Sequence, residues 1–271
     1  MKRLEERFER LKEKGEKALV GFVTACDPDY ATSLALIEKM CEAGLDVLEL
    51  GIPFSDPSAD GPVIQRSSER ALKAGATVKK ILKLVADIRE FTDIPIVLFT
   101  YTNPLLAFGY EAFASKASEA GADGVLVVDM PPEEAFELDG ALAKKQINLI
   151  RLVAPTTYDK RVRMIADTAS GFLYLISMVG VTGSGGLNAD AVEEQYNRVK
   201  DLTTLPVCVG FGITTPDDVE AIARFADGVV IGSAFERIIE SNLDKPHLPK
   251  IIGAQTREYK ARTRLKESVT D

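Results

Sequence analysis

The chain has no tryptophan, a single histidine and three cysteines in 271 residues, and each scarcity removes a class of chemistry. His247 lies in the segment KPHLP, away from every apolar run, so the sequence offers no Ser-His-Asp triad and no histidine-rich metal site. Cys26, Cys41 and Cys208 are scattered and form no CxxC pair, which argues against a disulfide framework and fits a reducing cytoplasm. Basic residues are the minority: 33 Lys and Arg against 41 Asp and Glu leave a net charge of −8. A chain of that balance lacks the broad basic face that nucleic acid or an anionic membrane requires. No apolar run reaches transmembrane length, and the opening MKRLEERFERLKEK is too charged for a signal peptide. Walker and GxGxxG nucleotide motifs are absent, and no lysine falls inside an expected strand, where a Schiff-base lysine would sit. No cofactor and no metal is expected. Carboxylate acid–base chemistry remains.

What the chain does have is alternation. Short apolar runs occur at 18–24, 46–50, 94–99, 123–128, 147–152, 171–176, 205–209 and 227–231, separated by amphipathic helical stretches. EAGLDVLEL at 42–50 is echoed by EAGADGVLVVD at 119–129 and more faintly by FADGVVIG at 225–232, each a helix end, a glycine turn, an acid and a buried strand. Asp27-Pro28 is expected to open one helix, with Leu34, Ile37 and Cys41 on its inner face and Gly44 closing it. Thr215-Pro216-Asp217-Asp218 carries the cap, first-turn proline and acids that open another. Residues 62–90 read as two helices split at Gly75. Strands alternating with helices imply a parallel sheet, and eight is the number that closes it. The expectation is an α/β fold, a single (β/α)8 barrel over 1–271. It has an additional N-terminal capping helix over 1–14, with Leu4, Phe8 and Leu11 on one face, and a charged segment over 256–271 that frays. An open doubly wound sheet satisfies the same pattern.

In such a barrel the reactive groups gather at the C-terminal ends of the strands. Period-two alternation puts Val47 and Glu49 on one face of their strand and Leu48 and Leu50 on the other. If the leucines meet the helices, Glu49 faces the barrel mouth. There it is either an acid–base group with a raised pKa or a carboxylate braced by a buried cation. Asp60 is either a reactive acid or the cap of the helix that starts at Gly61-Pro62, and Asp56 has the same ambiguity. Glycine-rich turns follow the last three expected strands: GVTGSGG at 180–186, GFG at 210–212 and IGSAF at 231–235. None contains Lys or Arg, so a phosphate bound there would be held by backbone N–H groups, with Ser233 placed to cap a short helix and donate its hydroxyl.

The stretch LELGIPFSDPSADGPVIQ at 48–65 resembles the signature of the tryptophan synthase alpha subunit family. GFVTACDPD at 21–29, TYTNP at 100–104, VVDMPPEE at 127–134, SMVGVTG at 177–183 and GFGI at 210–213 extend the likeness from about residue 15 to 260. The resemblance implies a barrel that cleaves indole-3-glycerol phosphate to indole and glyceraldehyde 3-phosphate without cofactor or metal. It makes Glu49 and Asp60 the catalytic pair. It places Thr182, Gly183, Gly212, Gly232 and Ser233 at the closing loop and phosphate site, and Phe22, Tyr101, Asp129 and Tyr174 around the substrate. Apolar walls suit an indole, whose burial over roughly 150–200 Å² is worth about 4–5 kcal/mol before costs. It also implies a tryptophan synthase beta subunit as partner in an alpha2beta2 heterotetramer, with Pro53, Asp56 and Pro57 facing or supporting it. A stand-alone lyase that releases free indole is the alternative. The chain departs from the family pattern at Cys26, at Met178-Val179 and at Ser184-Gly185-Gly186.

Overall fold

Eight strands and twelve helices alternate along residues 2–177, 188–210 and 212–264, the residues that the computed structural model describes. The strands are β1 Ala18–Thr24, β2 Val47–Gly51, β3 Ile96–Thr100, β4 Gly124–Val127, β5 Asn148–Val153, β6 Leu173–Ile176, β7 Val207–Gly210 and β8 Gly228–Ile231. Each pairs in parallel with its sequence neighbours, and β1 pairs with β8, so the sheet closes into a barrel. Closure excludes the open-sheet alternative. It also removes every unpaired strand edge.

Alternation along the strands sorts the side chains into two layers. Val20, Val47, Val97, Leu126, Ile150, Cys208 and Val230 face inward and form the filling of the barrel. Leu19, Leu48, Leu50, Leu98, Val125, Leu149 and Val153 face outward into the layer beneath the helices. The helices of that layer are α2 Tyr30–Glu42, α3 Pro62–Lys73, α4 Val78–Arg89, α5 Thr102–Phe108, α6 Tyr110–Ala120, α7 Phe136–Lys144, α8 Asp159–Asp167, α9 Ala189–Lys200, α10 Pro216–Ala223, α11 Ser233–Glu240 and α12 Leu248–Arg262; α1 Lys2–Glu13 precedes them all.

The expected punctuation is largely present. Gly75, at φ +79°, separates α3 from α4. At α10 the Thr215 hydroxyl accepts from the Asp218 N–H and the Asp218 carboxylate accepts from the Thr215 N–H, a reciprocal cap with Pro216 in the first turn. The helix expected at Asp27-Pro28 begins later. Asp29 is the N-cap of α2, accepting from the Thr32 N–H, and its buried face is Ser33, Leu36, Ile37 and Met40, with Leu34 and Cys41 at its margin. Asp27 is buried and paired to Arg70 instead. At the other end, charge misleads. The segment from 256 continues α12 to Arg262, with Thr256, Tyr259 and Lys260 buried and Lys260 Nζ 2.8 Å from Asp46 and 3.1 Å from Glu16.

Helix α1 lies across the N-terminal ends of the strands. Leu4, Phe8 and Leu11 join the inner cluster, and Phe8 meets Phe172 with ring centroids 5.8 Å apart. Arg3 pairs with Asp123 at 3.0 Å and Arg7 with Asp46 at 3.5 Å. The apolar stripe seals the floor of the barrel, and the charges fix its angle.

Candidate active site

Glu49 is the third residue of β2, between Phe22 of β1 and Val97 of β3 in the ladder. Because Leu48 and Leu50 belong to the outer layer, its carboxyl points into the barrel, where it is 1% exposed. Among the described residues no cation lies within ion-pair distance, and Oε1 has no hydrogen-bond partner. The brace reading therefore fails. Burial alone pushes the carboxyl up to about 8, so the side chain is mostly neutral near pH 7. Burial, and after it the Glu49 charge, raises the phenol of Tyr174, on the inward face of β6, well above the ordinary range. Gly210 of β7 makes room for that ring: a Cβ there would overlap the Tyr174 phenol.

Asp60 lies beyond the same strand, in the loop between β2 and α3. It is not the helix cap: Gly61 holds that position without a side-chain bond, and Pro62 opens the first turn. Its Oδ2 instead accepts from the Tyr101 hydroxyl at 2.9 Å, and the same phenol oxygen accepts from the Ala59 N–H at 3.0 Å. Burial raises the Asp60 carboxyl, and the Tyr101 hydrogen bond opposes that rise by favouring the ionised form. Tyr101 is buried at the end of β3 and stacks on Phe54 at 5.3 Å. Phe22 and Phe99 meet edge to face at 5.1 Å, giving the mouth an apolar wall.

The remaining expected residues fall around this pair. Asp129 follows β4 and accepts from both the N–H and the hydroxyl of Thr102, at 2.8 and 2.9 Å, tying the β4 end to the start of α5. Gly212, at φ +78°, lies between β7 and α10. Gly232, not Ser233, is the N-cap of α11; Ser233 is its first residue, and no side chain caps that end. The N–H groups there have no capping side chain, a ready site for an anion. In the loop after β2, Pro53 is buried, Pro57 half-buried and Asp56 exposed, its carboxylate accepting from the Ser55 hydroxyl at 2.6 Å. Thr182 and Gly183, with the rest of 178–187 and Phe211, lie outside the described residues.

One group of functional weight has no counterpart in the sequence reading. Glu236, on the inner face of α11, accepts from the Thr24 N–H at 2.6 Å and is wholly buried. Arg70 of α3 clamps Asp27 with two hydrogen bonds of 2.8 and 2.7 Å and reaches Glu236 at 3.9 Å. Burial and the Asp27 charge raise the Glu236 carboxyl well above its usual range. The trio binds the helix that presents Ser233 to the end of β1 and to the helix that follows Asp60. Its only sequence signal is an acid three residues after Ser233, on the apolar side of a short helix.

Among the described residues no group of three or more His, Cys, Asp or Glu is arranged to hold a metal ion, and no helix is long and apolar enough to cross a membrane. The family model described as tryptophan synthase alpha chain matches residues 8–267. A tryptophan synthase alpha chain from Desulfosudis oleivorans is 56% identical over 265 residues, covering 98% of this chain and 100% of that one. Another, from Desulfatibacillum aliphaticivorans, is 56% identical over 257 residues, covering 95% and 97%. Among solved structures, tryptophan synthase subunit alpha from Legionella pneumophila superposes with a TM-score of 0.91 at 38% identity, covering 97% of this chain and 98% of that one. A chain of Mycobacterium tuberculosis tryptophan synthase gives 0.88 at 34%, covering 97% and 99%.

Proposed function

We infer the roles of individual residues from one premise: the chain belongs to the tryptophan synthase alpha chain family, and it is a lyase that cleaves indole-3-glycerol phosphate to indole and glyceraldehyde 3-phosphate in tryptophan biosynthesis. The observation that carries the roles is the contrast between two carboxyls in one mouth: Glu49 is buried, has no cation beside it among the described residues and is largely neutral, whereas Asp60, also raised by burial, is hydrogen-bonded by a phenol in the sense that favours its anion. Burial raises both acids, and only Asp60 has a donor that opposes the rise, which assigns Glu49 as the proton donor and Asp60 as the charge stabiliser.

Cleavage begins when Glu49 gives its proton to indole C3, which makes the ring a cation with its charge shared to nitrogen. Asp60 accepts the N–H hydrogen bond of that cation and stabilises it. The bond between C3 and the glycerol carbon then breaks. Its electron pair returns to the ring and restores aromatic indole, while the adjacent hydroxyl becomes the aldehyde and gives its proton back to Glu49. Atoms and charge balance, and the acid is regenerated. Phe22, Phe99 and Tyr174 supply the apolar surface for the ring, and exclusion of water strengthens the Asp60 contact. The phosphate is taken by backbone N–H groups at Gly212, Gly232 and Ser233; Thr182 and Gly183, outside the described residues, are assigned to the same site by resemblance alone.

A beta subunit is the partner, in an alpha2beta2 assembly that receives indole in the cytoplasm. Pro53, Asp56 and Pro57 are the contact segment: they belong to the loop that leads to Asp60, where Asp56 is exposed, Pro57 half-buried and Pro53 supports the loop from beneath. Adding a beta subunit to the purified chain is expected to produce a complex by sedimentation and to raise the rate of indole release. No complex and no change in rate would count against the partner.

Asp60→Asn is expected to lower kcat about 10²–10³-fold, the usual cost of losing one preorganised electrostatic contact. Tyr101→Phe, which removes the hydroxyl that orients Asp60, is expected to cost about tenfold, and the double variant less than the product of the two, because they act through one contact. Indole release with saturating substrate measures all three. Unchanged turnover in Asp60→Asn would remove Asp60 from the chemistry.

A further inference from the structure

The ladder between β4 and β5 pairs Gly124 with Asn148, Val125 with Leu149 and Leu126 with Ile150, and goes no further, while β5 continues alongside β6 through Arg151, Leu152 and Val153. The two strands part above Leu126. A cavity of about 350 Å³ occupies the seam and the space beneath the loop from Val127 to Pro132. That volume lies within the range of small-molecule sites.

Arg151 lines it from β5. Its neighbours by parity, Leu149 and Val153, belong to the outer layer, and Ile150 and Leu152 pack with the inner one. Arg151 therefore points away from Glu49, towards the helices. It is only 6% exposed, and its Nε is buried without a hydrogen-bond partner. Among the described residues no carboxylate forms an ion pair with it. Arg161 of α8 lines the same cavity but is already clamped to both oxygens of Glu133. Glu133 and Asp139 are close enough to act on Arg151 through their fields only, and burial lowers its pKa. A buried guanidinium with no anion is costly, and removing one partner of such a pair commonly costs several kcal/mol. An arrangement of that kind is complete when an anion arrives.

We propose that this cavity, which meets the catalytic mouth only at Asp129 and otherwise lies on the outer side of the sheet, is a second ligand site, and that it takes an organic monocarboxylate. The carboxylate pairs with the planar fork of Arg151, and the apolar body lies against Val127, Met130 and Ile165, all members of the outer apolar layer. The Asp129 carboxylate in the lining and the nearby Glu133 and Asp139 charges disfavour a dianion such as phosphate. Nothing in the inference depends on the roles given to Glu49 and Asp60.

Benzoate is the probe, with benzamide as its uncharged counterpart and inorganic phosphate as the dianion, each followed by calorimetric titration of the whole chain. Benzoate is expected to bind at least tenfold more tightly than benzamide, and Arg151→Met to weaken benzoate at least tenfold while indole release stays at the wild-type rate. If Arg151→Met does not fold, Arg151→Lys serves: it keeps the charge, loses the fork and is expected to weaken benzoate about fivefold. Three results overturn the proposal. One is equal binding of benzoate and benzamide. The second is benzoate binding untouched by substitution at Arg151, which places the probe in the catalytic mouth. The third is phosphate bound through Arg151 as tightly as benzoate.

Discussion

Glu49→Gln is expected to abolish indole release, with kcat reduced at least ~10³-fold, and at the same time to make the protein more stable at neutral pH. The first effect follows because Gln can neither give the C3 proton nor receive the hydroxyl proton, and loss of a positioned acid–base group costs about 10²–10⁴-fold. The second follows from linkage. In the unfolded chain Glu49 titrates near 4.5; in the folded barrel burial moves it to about 8. Below the lower value the carboxyl is protonated in both states and costs nothing. As pH rises towards 8 the unfolded state ionises and the folded state does not, so the wild type loses stability at about 1.4 kcal/mol per pH unit. The variant has no such slope. Its stability relative to wild type should therefore grow by about 3 kcal/mol between pH 5 and pH 8, a relative Tm gain of about 5 °C for a chain of this size. Thermal melts of both proteins across that range decide it. A difference that stays flat with pH would mean that Glu49 is ionised in the folded barrel, and the proton-donor role would go with it.

Arg70→Met should be the most destabilising single change outside the barrel filling, at about 3–5 kcal/mol, the cost of stripping one partner from a buried ion pair. The substitution keeps the length and apolar stem of the side chain, so the loss isolates the charge. It leaves Asp27 buried without its two hydrogen bonds and facing Glu236, one of whose oxygens has no hydrogen bond and would lose the Arg70 charge as well. Replacing the whole group, as Asp27→Asn with Arg70→Met and Glu236→Gln, should recover much of the loss, because the uncompensated charge disappears with its partner. Urea titration gives both numbers. A single variant within 1 kcal/mol of wild type would show that water reaches Asp27 and that the trio does not brace the fold. Indole-release assays add a second reading. Since Glu236 holds α11, the single variant should raise KM for the phosphate-bearing substrate more than it lowers kcat.

The parts of the fold legible in the sequence are those set by local rules. Period-two alternation placed Glu49 on the face opposite Leu48 and Leu50, so that it enters the barrel once the leucines meet the helices, as they do. Gly75 and the Thr215–Asp218 pair marked helix ends, since a positive φ and a reciprocal cap are properties of a few adjacent residues. The misreadings share another cause. Asp27 and Asp29 flank the same proline and look equally able to cap α2; which of them turns inward depends on Arg70, forty-three positions away. Lys260 looked like solvated charge because its two acids lie near the opposite end of the chain. Ser233 and Gly232 exchange places at the α11 cap through the backbone conformation of one glycine. As for Asp60, its environment is Tyr101, and nothing in the loop sequence tells which phenol will reach it.

Helix α1 gives the barrel a floor. Leu4, Phe8 and Leu11 fill the end opposite Glu49, and Arg3 and Arg7 hold the plug to acids that precede β4 and β2. A vessel stoppered at the base opens, among the described residues, at its other end. Substrate, aldehyde and indole must all use the rim that carries Asp60, so admission and discharge compete for the same threshold. Any neighbour stationed there becomes both the gatekeeper of the incoming phosphate ester and the recipient of what leaves.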